Sequence, residues 1–273
     1  MKVKIFKIGG NVVENDNTLL GFAKDFASLE GNKILIHGGG VMASNMQERL
    51  GIRPLMKAGR RITDKETLKI VTMVYAGWCN KHIISTLSSC GCKAIGLSGA
   101  DGNIIKASKR NPVEITEHKS DGLTSTETID FGYVGDIDPK DIDTDMICAL
   151  STTGVTPVFC AITHDGNGNL LNTNADSVAS SIACAMAGAG YETELIFCFE
   201  NDGVLYDRNN PESLIPVLDK KSYIQMKTER RIADGMIPKM ENAFAALSGG
   251  VSKVSVKNAS NITRDIGTEI KLD

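Results

Sequence analysis

Aromatic residues are scarce in this 273-residue chain, at 5%, with a single tryptophan. Charge of one sign is lacking too: 30 basic and 33 acidic residues leave a formal net charge of −3. Without a basic excess there is no broad positive surface to neutralise a phosphate backbone, so nucleic acid is excluded as the expected partner. No apolar run approaches the roughly 18 residues needed to cross a bilayer, and no membrane partner is expected. Lys2 to Gly10 already reads as a strand and its turn, so no cleavable leader is expected either. The seven cysteines are odd in number and mostly sit among apolar residues, as in Ile147-Cys148-Ala149 and Ile196-Phe197-Cys198. Buried reduced thiols of that kind point to the cytoplasm. Cys90-Gly91-Cys92 is the only close pair, with one intervening residue where zinc and redox motifs have two or more. The histidines at 37, 82, 118 and 164 form no ligand pair one helical turn apart. No protein-held metal is expected.

What the chain does have is enough apolar sequence for a full core, 42% hydrophobic, and 27 glycines. Its length suits one large α/β domain or two small ones. Apolar runs at 3–8, 34–36, 94–97, 155–162, 195–199 and 251–256 read as strands. Helical spacing recurs at 19–29, 41–50, 63–89, 138–154, 175–188 and 238–249. Thr63-Asp64-Lys65-Glu66 has capping-box form, and Pro139 and Pro238 suit first helical positions. Asp165-Gly166-Asn167-Gly168-Asn169 is a tight turn into Leu170-Leu171. Such alternation implies a mainly parallel sheet with helices on both faces, an αβα sandwich. Residues 103–135 are the least regular and read as a hairpin or a lid over a site. No low-complexity linker divides the chain, which favours two closely joined lobes over independent domains.

Two strands end in glycine clusters that lead into helices, at Gly9-Gly10 and Gly38-Gly39-Gly40. Ligands of parallel sheets bind at the carboxyl ends of strands, and glycine there lets backbone N–H groups approach an anion. The pair reads as a phosphate cradle or as two tight turns. A P-loop, a Gly-x-Gly-x-x-Gly turn and the His-Arg-Asp signature are all missing, and Asp130-Phe131-Gly132 stands without the rest of the protein-kinase set, so the common nucleotide folds do not account for it.

Lys7-Ile8-Gly9-Gly10 followed by His37-Gly38-Gly39-Gly40 resembles the amino acid kinase family. Further segments are similar to its branch that phosphorylates N-acetylglutamate. They are Gly59-Arg60-Arg61-Ile62-Thr63, Gly96-Leu97-Ser98-Gly99-Ala100-Asp101-Gly102, Asn172-Thr173-Asn174-Ala175-Asp176, Asp234-Gly235-Met236-Ile237-Pro238-Lys239 and Gly267-Thr268-Glu269-Ile270. The resemblance implies one kinase domain over 1–273, with an acylglutamate-binding and dimerisation lobe at about 1–170 and an ATP-binding lobe at about 171–273. It implies ATP as co-substrate, with magnesium held mainly by its phosphates, and an acyl phosphate as product in arginine biosynthesis.

By the same resemblance Lys7 and Lys239 flank the moving phosphoryl group, Asp176 orients them, and Gly9 and Gly10 supply backbone donors. Gly39, Gly40, Arg61, Asn172 and Asn174 hold the acceptor, with Arg61 on its α-carboxylate, while Arg60 reads as a surface charge unless the register exchanges the two. Asn172 and Asn174 are expected on one side of an extended segment, and His37 as a brace for the glycine loop rather than an acid or base. Asp202 and Gly203 fall to the ATP site. There the chain departs from its relatives: Phe199-Glu200-Asn201-Asp202 stands where a Thr- or Ser-Asp pair precedes Gly203-Val204-Leu205. Carbamate kinase, aspartokinase, glutamate 5-kinase and uridylate kinase fit the 59–63 and 172–176 segments less well. Another acyl group such as succinyl, or a catalytically silent amino-acid or nucleotide sensor, are the alternatives. Arginine-inhibited hexamers of the family carry an extra N-terminal helix; with a strand starting by Val3, an arginine-insensitive homodimer is expected.

Overall fold

All six apolar runs read as strands enter one central sheet. The computed structural model describes residues 1–118, 124–207, 209–229, 231–232 and 236–273. In chain order the first elements are β1 (Lys2–Ile8), α1 (Gly10–Glu14), α2 (Asp16–Ser28), β2 (Asn32–His37) and α3 (Gly40–Arg49). A small hairpin, β3 (Met56–Lys57) and β4 (Arg60–Arg61), precedes α4 (Lys65–Thr72), α5 (Asn80–Ser89) and β5 (Ala94–Leu97). Four short strands follow: β6 (Ser108–Lys109), β7 (Val113–His118), β8 (Thr124–Ile129) and β9 (Gly135–Asp136). Next come α6 (Thr144–Thr152), β10 (Thr156–Cys160), β11 (Ile162–His164), β12 (Leu170–Asn172), α7 (Ala175–Gly188) and β13 (Glu192–Phe199). The chain closes with β14 (Val217–Asp219), α8 (Lys220–Thr228), α9 (Ile237–Ser248), β15 (Lys253–Asn258) and β16 (Thr268–Lys271).

The sheet order is β14-β16-β15-β13-β1-β2-β10-β5. Its pairs are parallel except β15 with β16. Alternation along β1 divides the core. Val3 and Ile5 pack with Val178 and Ile182 of α7, whereas Phe6 and Ile8 pack with Phe22 and Phe26 of α2. Helices thus cover both faces, giving a three-layer αβα sandwich. Each fully buried isoleucine or phenylalanine contributes about 1.5–3 kcal/mol relative to exposure.

Two predicted helices are built differently. The 63–89 helix is α4 and α5 joined through a π-helical stretch, Met73–Cys79. Its cap is Asp64, whose side chain accepts from Thr67 N at 2.7 Å. Thr63 cannot cap because its backbone pairs with Phe131 and Tyr133. The 138–154 helix splits into a 3-10 turn at Pro139–Asp141 and α6, since Asp138 and Asp143 each cap a start of their own. Within 103–135, β7 and β8 pair as an antiparallel hairpin, and 119–123 lie outside the described residues.

Candidate functional site

The alternation that buries Val3 and Ile5 also aims Lys7 at the α7 face of the sheet. There α7 presents Asp176 in its first turn, and Lys7 Nζ lies 2.7 Å from Asp176 Oδ1. The contact is an ion pair by distance, off the angle of a regular hydrogen bond. Both side chains are buried, 7% and 8% exposed. Phe199 ends the neighbouring strand β13 on the same face, and its ring faces two ammonium groups. Lys7 Nζ is 5.6 Å from the ring centroid and Lys239 Nζ is 3.9 Å. Burial pushes the Lys239 ammonium pKa below its usual value, and the charge of Lys7 adds to that. Two like charges held together in a partly desolvated place are poised for a polyanion.

Two cavities meet at this point. One, of about 240 Å³, is lined by Lys7, Gly9, Gly10, the Gly38-Gly39-Gly40 turn, Arg61, Asn172, Asn174 and Asp176. The other, of about 310 Å³, is lined by Lys7, Gly9, Gly10, Asn11, Phe199, Glu200 and Lys239. Lys7, Gly9 and Gly10 belong to both. A group bound in either cavity therefore faces the same ammonium and the same glycine backbone. This is an arrangement for transfer between two bound molecules.

Arg61 is buried and donates to Gly40 O at 2.9 Å, to Ser44 Oγ at 2.8 Å and to Gln47 Oε1. These bonds tie the β4 arginine to the glycine turn and α3. Asn172 Nδ2 donates to Thr63 Oγ1 at 3.0 Å. Asn174 is not on the strand with it: its side chain caps α7, accepting from Asp176 N at 2.8 Å and Ser177 N at 3.3 Å. The cap sets the position of Asp176. Arg60 is no surface charge, because it and Arg110 both line the first cavity. Burial, and then Arg110, lower the Arg60 pKa.

The sequence profile described as the amino acid kinase family matches residues 2–258. The chain belongs to that family. It is 45% identical over 275 residues to the acetylglutamate kinase of Cytophaga hutchinsonii, covering 98% of each chain. To the acetylglutamate kinase of Bacteroides fragilis it is 44% identical over 270 residues, covering 99% of this chain and 97% of that one. Among solved structures, smu.665 from Streptococcus mutans UA159 superposes with a TM-score of 0.77 at 22% identity over 99% of both chains, a likeness of fold. The protein is a kinase that uses ATP.

The remaining site residues read from the family resemblance are less well gathered. Asp202 and Gly203 line neither cavity. Asp202 accepts instead from Asn261 Nδ2 at 2.8 Å, and Gly203 has a packing reason: a Cβ there would lie 2.5 Å from Thr268 Oγ1. Asp234 and Gly235, of the motif that ends at Lys239, lie outside the described residues. Sequence reasoning missed the support for the site, namely Ser44, Gln47, Thr63 and the Phe199 ring. None of the four carries a local sequence signal for that role.

His37 braces the glycine turn. Its Nδ1 donates to Gly38 O at 2.8 Å, and its Nε2 accepts from Asn80 Nδ2 at 3.0 Å. Both bonds suit a neutral ring, and burial pushes its pKa from 6.5 down to about 4. The unfolded chain therefore binds the proton more readily than the folded one. The stabilisation is complete above about pH 6.5 and is lost as pH falls toward 4. We expect the stability advantage of the wild type over His37→Gln to shrink by about 3 kcal/mol between about pH 7 and pH 4. Denaturant titrations across that range check it; an advantage independent of pH would show that His37 is not buried neutral.

Proposed function

We propose that this chain transfers the γ-phosphoryl group of ATP to the side-chain carboxylate of N-acetyl-L-glutamate. The product is N-acetyl-L-glutamyl 5-phosphate, and the step belongs to arginine biosynthesis. The names of its relatives support the acceptor, and the junction of two cavities at Lys7, Gly9 and Gly10 carries the chemistry. A glutamyl carboxylate is ionised at neutral pH, with a pKa of about 4.3, so no general base is required. The obstacle is repulsion between an anionic nucleophile and a polyanion, and catalysis is positioning and charge neutralisation.

Lys7 meets the moving phosphoryl between the cavities, and Lys239 meets it from the nucleotide side. Asp176 holds Lys7 in place. Gly9, Gly10, Gly39 and Gly40 offer backbone N–H groups to the bound anions. Arg61 binds the α-carboxylate, while Asn172 and Asn174 bind the acylamino group. The acceptor site draws mainly on the lobe at about 1–170 and the nucleotide site mainly on that at about 171–273, with the β1 turn serving both. Among the described residues no three acids, histidines or cysteines converge to cage a metal. Glu200 is the carboxylate that lines the nucleotide-side cavity, where magnesium brought by the nucleotide would supply neutralisation of the phosphate charge.

A second acceptor is favoured by one observation. Arg60 and Arg110 line the acceptor cavity in addition to Arg61, more cationic groups than one α-carboxylate uses. Arg110 is steadied by Asp136 and by the Phe131 ring, 5.8 Å from its centroid. An acyl group ending in a carboxylate, such as succinyl, would find a partner there. ADP release measured with N-acetyl-, N-succinyl- and free glutamate tests both readings. We expect turnover of N-acetylglutamate and a kcat/KM for free glutamate at least about 100-fold lower, since it leaves buried polar groups unpaired. A higher kcat/KM for the succinyl compound would reassign the acceptor, and no turnover of any would leave a silent sensor.

The seven cysteines are free, which supports the cytoplasm as the compartment. No described helix is long and apolar enough to cross a membrane. Met46, Met73 and Trp78 are exposed on α3 and the π-helical stretch, Trp78 to 64%. This apolar face supports a homodimer, and a monomer in sedimentation equilibrium would count against it.

A further inference from the structure

Among the described residues lining the nucleotide-side cavity, Glu200 alone is acidic. A carboxylate is a poor choice beside a triphosphate unless a cation stands between them. Nothing in the packing requires it here: Glu200 follows the last residue of β13 and is exposed to the cleft. Its orientation is nonetheless constrained. Asn11 Nδ2, in α1 just past the glycine turn, donates to Glu200 Oε1. The Glu200 backbone carbonyl accepts from Asn258 Nδ2 at 2.6 Å, which ties it to the end of β15. One oxygen is thus anchored across the cavity mouth, and among the described residues none bonds to the other. Lys239 feels the Glu200 charge, so the carboxylate acts on the space the phosphates would occupy. Asp176, the acid that lines the first cavity, already has Lys7 at 2.7 Å.

Hard, singly charged oxygen donors next to phosphates are what magnesium takes from a protein, usually one or two carboxylates beside the nucleotide's own oxygens. We propose that Glu200 is a ligand, directly or through one water, of the divalent cation carried by the nucleotide, and that Asn11 positions it. The assignment rests on the kinase reading above. On the donor side Phe199 then faces the lysines and Glu200 the cation.

The test compares ADP binding by calorimetry with magnesium present and with EDTA, for the wild type and Glu200→Gln. The ratio of the two Kd values measures how much the cation helps. The amide keeps the acceptor for Asn11 and removes the charge, so folding is not at stake. We expect the variant to lower the ratio by about tenfold or more, the scale of losing a metal-site carboxylate. Metal-free ADP should bind the variant as tightly as the wild type or more tightly. Mn²⁺ in place of Mg²⁺ should give an electron paramagnetic resonance spectrum of bound Mn–ADP that differs between the two proteins. A ratio that is unchanged, or metal-bound and metal-free ADP tightening together, would make Glu200 a mere repelling charge and overturn the proposal. Failure of the wild type to bind ADP at all would remove the nucleotide site itself, a result distinct from binding with an unchanged ratio.

Discussion

Lys7→Ala should lower kcat/KM by at least about 100-fold, the scale of removing one preorganised charge from a transition state. It should also lower folding stability by about 3–5 kcal/mol, because Asp176 is then left buried without its counter-charge. The side chains of the pair are less than a tenth exposed, so solvent does little to soften that loss. The two effects separate in a double variant. Adding Asp176→Asn removes the stranded charge and should recover most of the stability while activity stays low. Lys239→Ala makes the complementary case. Its ammonium rests over the Phe199 ring instead of in the Asp176 pair, so activity should fall with a much smaller loss of stability. Denaturant unfolding and ADP release on the four proteins settle this. Turnover that survives Lys7→Ala would end its assignment at the transferred phosphoryl.

Gly39→Ala should raise the KM for the acceptor more than tenfold and cost about 1–3 kcal/mol of stability, as overpacking of a filled interior does. A Cβ at this position would lie 2.8 Å from Tyr75 Cδ1 and 2.9 Å from Cys79 Sγ. Both belong to the π-helical stretch and are buried, so neither can swing clear. The turn must shift instead, carrying the Gly39 and Gly40 backbone with it. Arg61 would feel the shift, since it donates to Gly40 O at 2.9 Å. Gly9→Ala is the control: a Cβ there meets nothing within 4 Å, and stability should hold. Equal KM values for Gly39→Ala and the wild type would mean that the turn does not hold the acceptor.

Much of this was legible in the chain. The 175–188 helix emerged with its bounds intact because small helix formers lie between a strong cap, Asn174, and a glycine. β1 and its glycine turn were plain from one apolar run. The short strands β14 and β16 were not, since three or four residues carry too little period to stand out. The misplaced cap at Thr63 had a tertiary cause, because a backbone already paired with the 131–133 segment cannot start a helix. Arg60 read as a surface charge for a similar reason: the β3–β4 hairpin that turns it into the cavity has no local signature.

The sequence alone determined the alternation of strands and helices, the glycine turns at two strand ends, and the family, because these depend on local pattern and ordered motifs. Which side chains meet was decided by the tertiary structure. Parallel register sets Lys7 opposite Phe197, one pleat from Phe199, and the packing of α7 brings Asp176 to 2.7 Å from Lys7 across 169 residues of chain. Burial of His37 and Lys239, and the Glu200 carboxylate at the mouth of the second cavity, follow from that same packing. Charge and solvation depend on neighbours in space, and a linear chain does not list them.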